Sequence, residues 1–194
     1  MELIYNRIFL KHKTESHPEC PERLAYFDKN VKEAKLENGE KYLDLIYDKK
    51  YVELIKNASK KEINLDPDTY TNKFSYEAAC YSIASAIKAS QENNFSLGRP
   101  PGHHATKNKA MGFCLFNNIA IATQKLVNEG KKVFIMDIDG HHGNGTQDIF
   151  YDTDKVLYLS THQFPAYPGT GWLEEIGNGK GKGFTINIPM PTYT

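Results

Sequence analysis

The stretch that most constrains the fold is KKVFIMDIDGHHGNG, residues 131–145. Val133, Phe134, Ile135 and Met136 form a short apolar run of β-branched and bulky side chains, flanked by lysines and closed by glycines. Such a run reads as a strand of a covered parallel sheet. Polar chemistry begins at its carboxyl end. Side chains alternate along a strand, so Asp137, Asp139 and His141 are expected on one side, at the edge where α/β sheets place ligands. Two carboxylates and an imidazole crowded together call for a compensating cation, and their spacing predicts a metal site.

The rest of the chain must supply a sheet and its covering helices. A length of 194 residues suits a single domain with its own core. Lys and Arg number 24 against 24 Asp and Glu, a balance that points away from nucleic-acid and membrane surfaces. Cys20, Cys80 and Cys114 are widely spaced and form no CxxC pair, which argues against a disulfide framework or a thiolate zinc site. No apolar stretch is long enough for a signal peptide or a bilayer span, so a cytoplasmic protein is expected.

In chain order, short apolar strands alternate with amphipathic helices, the pattern of an α/β fold. Residues 3–5 are a first strand. In HPECPER (17–23) the second proline can open a helix, whose stripe of Leu24, Phe27, Val31 and Ala34 runs until Asn38-Gly39. Helices follow over 51–58 and along the Tyr76, Cys80, Ile83, Ile87 face, ending near Asn93. Between them, 65–69 is a turn containing Asp66 and Asp68. Residues 95–97 form a strand leading into a proline-fixed loop with His103 and His104. Leu115, Ile119, Ala122 and Leu126 mark the next helix, so 95–139 reads as one βαβ unit that brings both histidines to the edge of Asp139 and His141. A short helix over 144–151 and strands over 156–160 and 184–188 complete the sequence. His12 and His17 carry no partner signal and read as structural.

Several motifs occur in a familiar order: RPPGHHA (99–105), GFCLFNN (112–118), DIDGHHGNGTQ (137–147), STH (160–162) and YPGTG (167–171). With HPECPERL (17–24) they resemble the amino-terminal portion of the histone deacetylase superfamily, which also includes acetylpolyamine amidohydrolases and acetoin-utilisation proteins. HHGNGTQ resembles its class II branch. The resemblance implies an arginase-like three-layer α/β fold around a mainly parallel sheet, and a zinc-dependent hydrolase that removes acetyl groups from acetyl-lysine or an acetylated small amine.

Carried over by position, the resemblance makes Asp139 and His141 zinc ligands, and His103 and His104 the catalytic histidine pair. Asp137 supports His103 and, with Ser160 and Thr161, a structural potassium ion. Phe113 and Tyr167 wall the acyl-lysine tunnel, Gly112 lies on its rim, and either Asp66 or Asp68 is the rim carboxylate. Asn144 orients His104. Zinc and iron(II) both suit such a His and carboxylate set. The resemblance also implies a third metal ligand and a catalytic tyrosine beyond Thr194, so a continuing or second polypeptide is expected to complete the site. The alternative is a catalytically silent protein that binds a metal, an acetylated ligand or a partner chain.

Overall fold

These alternating segments build two small parallel sheets with helices packed between and over them, in a computed structural model that describes residues 1–14 and 17–192. Strand β1 (Leu3–Ile4) pairs in parallel with β2 (Phe95–Ser96). Strands β3 (Val133–Asp137), β4 (Val156–Gln163) and β5 (Thr185–Met190) form the second sheet in that order, also parallel. The expected βαβ unit over 95–139 is therefore corrected, because β2 pairs with β1 and β3 with β4.

Helix α1 (Ala25–Asn30) is shorter than its apolar stripe suggested. Val31 leaves the helix in an extended conformation, and Glu33 bridges Tyr5 in parallel while the Ala34 amide donates to the Tyr5 carbonyl at 2.7 Å. Pairing with the first strand outcompetes local helix propensity there. Asn38 then caps a 3-10 segment, Gly39–Leu45, instead of ending a helix. Gly39 lies so close to α3 (Ser75–Glu92) that a Cβ would overlap the Cys80 carbonyl.

Helix α2 (Lys49–Lys61) is capped by Asp48. With α3 and α4 (Asn118–Asn128) it buries Tyr51, Ile55, Ile83, Ile87 and Ile121 in one core. The α4 stripe is offset from its expected positions: Leu115 lies before the helix and Ile119 is partly exposed, while Ala120, Ile121, Ala122 and Thr123 are buried. Small residues let α4 approach both neighbours. Ile121 faces the α3 side, whereas Ala120 joins Ile135, Val156, Tyr158 and the α5 (Asn144–Phe150) residues Ile149 and Phe150 in a second core.

One face of the second sheet thus packs on α4 and α5. The other carries Phe134, Met136, Ile186 and Ile188, with Phe134 57% and Met136 58% exposed. Parallel sheets are ordinarily covered on both faces, so among the described residues this sheet is half covered. No helix among the described residues is long and apolar enough to cross a membrane.

Candidate active site

The loop that follows β2 meets the carboxyl end of β3 although the two ladders are separate. His103, beyond β2, places Nδ1 3.0 Å from Asp137 Oδ2 at the end of β3. His104 places Nδ1 2.8 Å from Asn144 Oδ1 at the start of α5. The two imidazoles are tilted against each other with centroids 4.0 Å apart. Asn117 fixes their loop from below: its Oδ1 accepts the Ala120 amide, and its Nδ2 donates to the Ala105 carbonyl and to Thr146 Oγ1.

Strand alternation does not explain how Asp137, Asp139 and His141 gather, because β3 ends at Asp137. Two successive side-chain turns do so instead. Asp137 Oδ1 accepts the Asp139 amide at 3.2 Å, and Asp139 Oδ1 accepts the His141 amide at 2.9 Å. Asp137 also has compensating partners within the chain. Burial pushes its carboxyl upward, but His103, the Asp139 amide and the Tyr158 hydroxyl more than offset this and hold it below the usual carboxylate range. Tyr158, which nothing in the sequence marked, donates toward both Asp137 Oδ2 (3.2 Å) and the Gly143 carbonyl (3.1 Å). Gly143 is obligatory, since a Cβ would overlap Asp137 Oδ2 and lie 2.6 Å from the Tyr158 hydroxyl.

Asp139 and His141 are each 52% exposed at the side chain, and His141 Nδ1 lies 3.3 Å from Asp139 Oδ1. That separation matches one edge of a tetrahedron whose ligand atoms sit about 2.0–2.1 Å from a metal. His103 Nε2 is 4.0 Å from Asp139 Oδ1, but its other nitrogen is taken by Asp137. Among the described residues no group of three or more His, Cys, Asp or Glu is placed to hold a metal. The donors present fit half of a tetrahedral site.

A cleft of about 390 Å³ opens over these groups. His104, His141, Met111, Gly112, Phe113 and Tyr167 line it, with Asp66 and Asp68 at its mouth. The Tyr167 ring stands edge-on to His104 at 5.0 Å, and burial followed by the Asp66 charge pushes its hydroxyl up to about 12. Gly112 has φ +55°, and a Cβ there would strike the His104 ring. Phe113 adopts φ +71°, an uncommon conformation for a bulky residue, with its amide donating to Thr69 Oγ1 at 3.3 Å. Burial, reinforced by His103, pushes the His104 imidazole down to about 4.

Ser160 and Thr161 lie on β4, Ser160 directly beside Asp137. His162 Nε2 donates to the Gly171 carbonyl at 3.0 Å, so its Nδ1 accepts from Ser160 Oγ at 2.9 Å. His17, read as structural, packs behind the cleft wall: its ring meets Phe113 edge-on at 4.4 Å. His12 is structural as expected, buried and bonded to Ser75.

Comparison with known proteins bears on this arrangement. Residues 17–194 match the histone deacetylase domain. The chain belongs to the histone deacetylase family. A probable deacetylase of Archaeoglobus fulgidus is 39% identical over 99% of this chain and 59% of its own length. Arabidopsis thaliana histone deacetylase 5 is 36% identical over 96% of this chain and 34% of its own. The crystal structure of the HDA15 HD domain superposes with a TM-score of 0.89 at 33% identity, covering 97% of this chain and 61% of that one. A histone deacetylase homologue from Aquifex aeolicus gives 0.86 at 29% identity, covering 98% and 59%. The fold of this family member is thus the deacetylase fold, and the chain spans about 60% of the length of the solved relatives it matches.

Proposed function

We propose that these 194 residues form one unit, the acyl-binding and proton-transfer part of a metal-dependent amidohydrolase acting on acetyl-lysine or an acetylated small amine. One observation carries this reading: His104, held by Asn144 and beside the His103–Asp137 pair, lines with His141 a cleft walled by Phe113 and Tyr167. The aromatic walls suit an apolar stem, while the polar floor suits an amide.

Asp139 and His141 would hold the metal, zinc or iron(II), through Oδ1 and Nδ1. The Lewis acidity available with a metal bound there polarises an amide carbonyl and acidifies the attacking water. The remaining chemistry belongs to the chain. Asn144 Oδ1 is an acceptor, so neutral His104 keeps its proton on Nδ1 and turns the Nε2 lone pair toward the cleft. His104 Nε2 takes the proton of the attacking water and later returns one to the leaving amine. Asp137 offers His103 a full carboxylate where Asn144 offers only a neutral amide. His103 is therefore better suited to carry positive charge opposite a developing negative one. Asp137, Ser160 and Thr161 would hold potassium, a role supported by the pairing of Asp137 with Ser160 across β3 and β4.

The further metal ligand and a carbonyl-polarising group come from polypeptide outside these residues in this reading, which also covers the bare sheet face. Three free cysteines fit a reducing, cytoplasmic setting. The second reading is a silent binder of metal or acetylated ligand, favoured by the absence of a three-donor group among the described residues. Zinc titration with an acetyl-lysine peptide assay separates the two: turnover by the 194 residues alone would sink the silent reading. In any active assembly His104→Ala is expected to lower kcat at least about 100-fold, the usual contribution of a general base. Unchanged turnover would remove His104 from that role.

A further inference from the structure

We infer that His17 is a positioning residue for the mouth of the cleft, coupling the Asp68 carboxylate to the Phe113 wall and thereby favouring acetyl-lysine within a peptide over a backbone-free acetylated amine. The inference rests on the acyl-binding reading of the cleft and deepens it.

The two candidate rim carboxylates are not equivalent. Asp66 Oδ1 accepts the Asp68 amide at 2.9 Å and so helps build the turn. The Asp68 side chain is 74% exposed, and its ion-pair partner among the described residues is His17, with Nε2 4.0 Å from Oδ1. The His17 ring cannot turn freely. It packs edge-on against Phe113 at 4.4 Å and tilted against Tyr70 at 5.2 Å, leaving 9% of the side chain exposed. The Glu19 amide donates to His17 Nδ1 at 3.1 Å, which puts the ring proton of the neutral imidazole on Nε2, the nitrogen nearer Asp68.

The anchor behind this ring is rigid. Glu19 is buried and forked onto Arg99, with Arg99 Nη2 2.7 Å from Oε2 and Nη1 2.7 Å from the Phe9 carbonyl. Arg99 begins the loop that ends in His103 and His104. A set of contacts therefore runs from the histidine loop through Arg99, Glu19 and His17 to Phe113, with Asp68 Oδ1 4.0 Å from the His17 ring. A gap of 4.0 Å is too long for a direct hydrogen bond, and a bridging water or a small inward shift on binding would close it. A carboxylate held there accepts N–H groups from a substrate backbone, which a small acetylated amine lacks. The stem and acetyl group of either ligand meet only the aromatic walls and the floor.

The test uses the full zinc-loaded chain and two ligands, an acetyl-lysine tripeptide and an N-acetylated diamine, titrated by NMR. His17→Phe keeps a ring against Phe113 and removes Nε2–H. It is expected to weaken the peptide about threefold to fivefold, the worth of an exposed ionic contact, and to leave the acetylated diamine within about twofold. In an Asp68→Asn background it should add nothing. Equal weakening of both ligands, or an undiminished effect in that background, would overturn the inference in favour of a purely packing role. If the unaltered chain binds neither ligand, the acyl-binding reading and the preference built on it both fall. The contact itself is decided separately by the His17 ring ¹⁵N shifts without ligand. They should move on Asp68→Asn while those of His12 stay put, and unmoved His17 shifts would rule the coupling out.

Discussion

At the residue scale, the histidine doublet and the DxDxH run were legible because each is a polar group placed where a strand stops. The reason for their convergence was not. It lies in amides accepted by Asp137 and Asp139, which are backbone events with little sequence signature. Tyr158 was missed for a different reason: a tyrosine inside VLYLS looks like any strand aromatic until its hydroxyl is seen between Asp137 and Gly143. His17 lacked a signal because its partners lie about 50 and 100 residues away in sequence. Tyr158→Phe leaves a buried carbonyl and a carboxylate each short of a donor. It is expected to cost about 1–3 kcal/mol of stability, read as a lower denaturation midpoint at unchanged m-value. A midpoint equal to the parent's would mean that water replaces the hydroxyl at no cost.

At the scale of elements, existence and order followed from apolar periodicity, whereas boundaries followed from tertiary partners. The expected helix through Val31 and Ala34 gave way to pairing with Tyr5, and the expected start of α4 moved from Leu115 to Asn118 because Asn117 is the cap. The two N-caps allow a comparison. The Asp48 side chain accepts the Tyr51 amide, while buried Asn117 caps α4, donates its side-chain amide to the Ala105 carbonyl and Thr146, and donates its backbone amide to the Tyr47 hydroxyl. Asp48→Ala should cost about 1 kcal/mol. Asn117→Ala should cost at least about 2 kcal/mol, from cap and unpaired buried groups together, and should broaden the His103 and His104 NMR signals. Equal costs would show that the histidine loop does not depend on the cap.

For the molecule as a whole, burial governs the response to acid. It holds the imidazoles of His12, His104 and His142 down to about 4, while the unfolded chain protonates near 6.5. As pH falls below about 6.5 the unfolded state takes up protons that the native state refuses. Stability is therefore full above that value and is lost on the way down to about 4. Asp137 and Glu175, whose carboxyls are held low, extend the loss in the same direction at lower pH. Thermal melts of the metal-free chain should fall steadily from pH 7 to 4, and a flat profile would contradict the burial of these rings.

The separation of the two parallel ladders sets how the molecule breathes. No backbone pairing joins β2 to β3; α4, packed against α3 on one side and the β3–β4 sheet on the other, links them. Amide hydrogen exchange should divide accordingly into two cooperative units of different opening free energy. The 3.0 Å contact between His103 and Asp137 spans that division. Each opening of the weaker unit then disassembles the candidate active site while most of the other unit's hydrogen bonds survive, so a ligand seated in the cleft would slow exchange in both units at once.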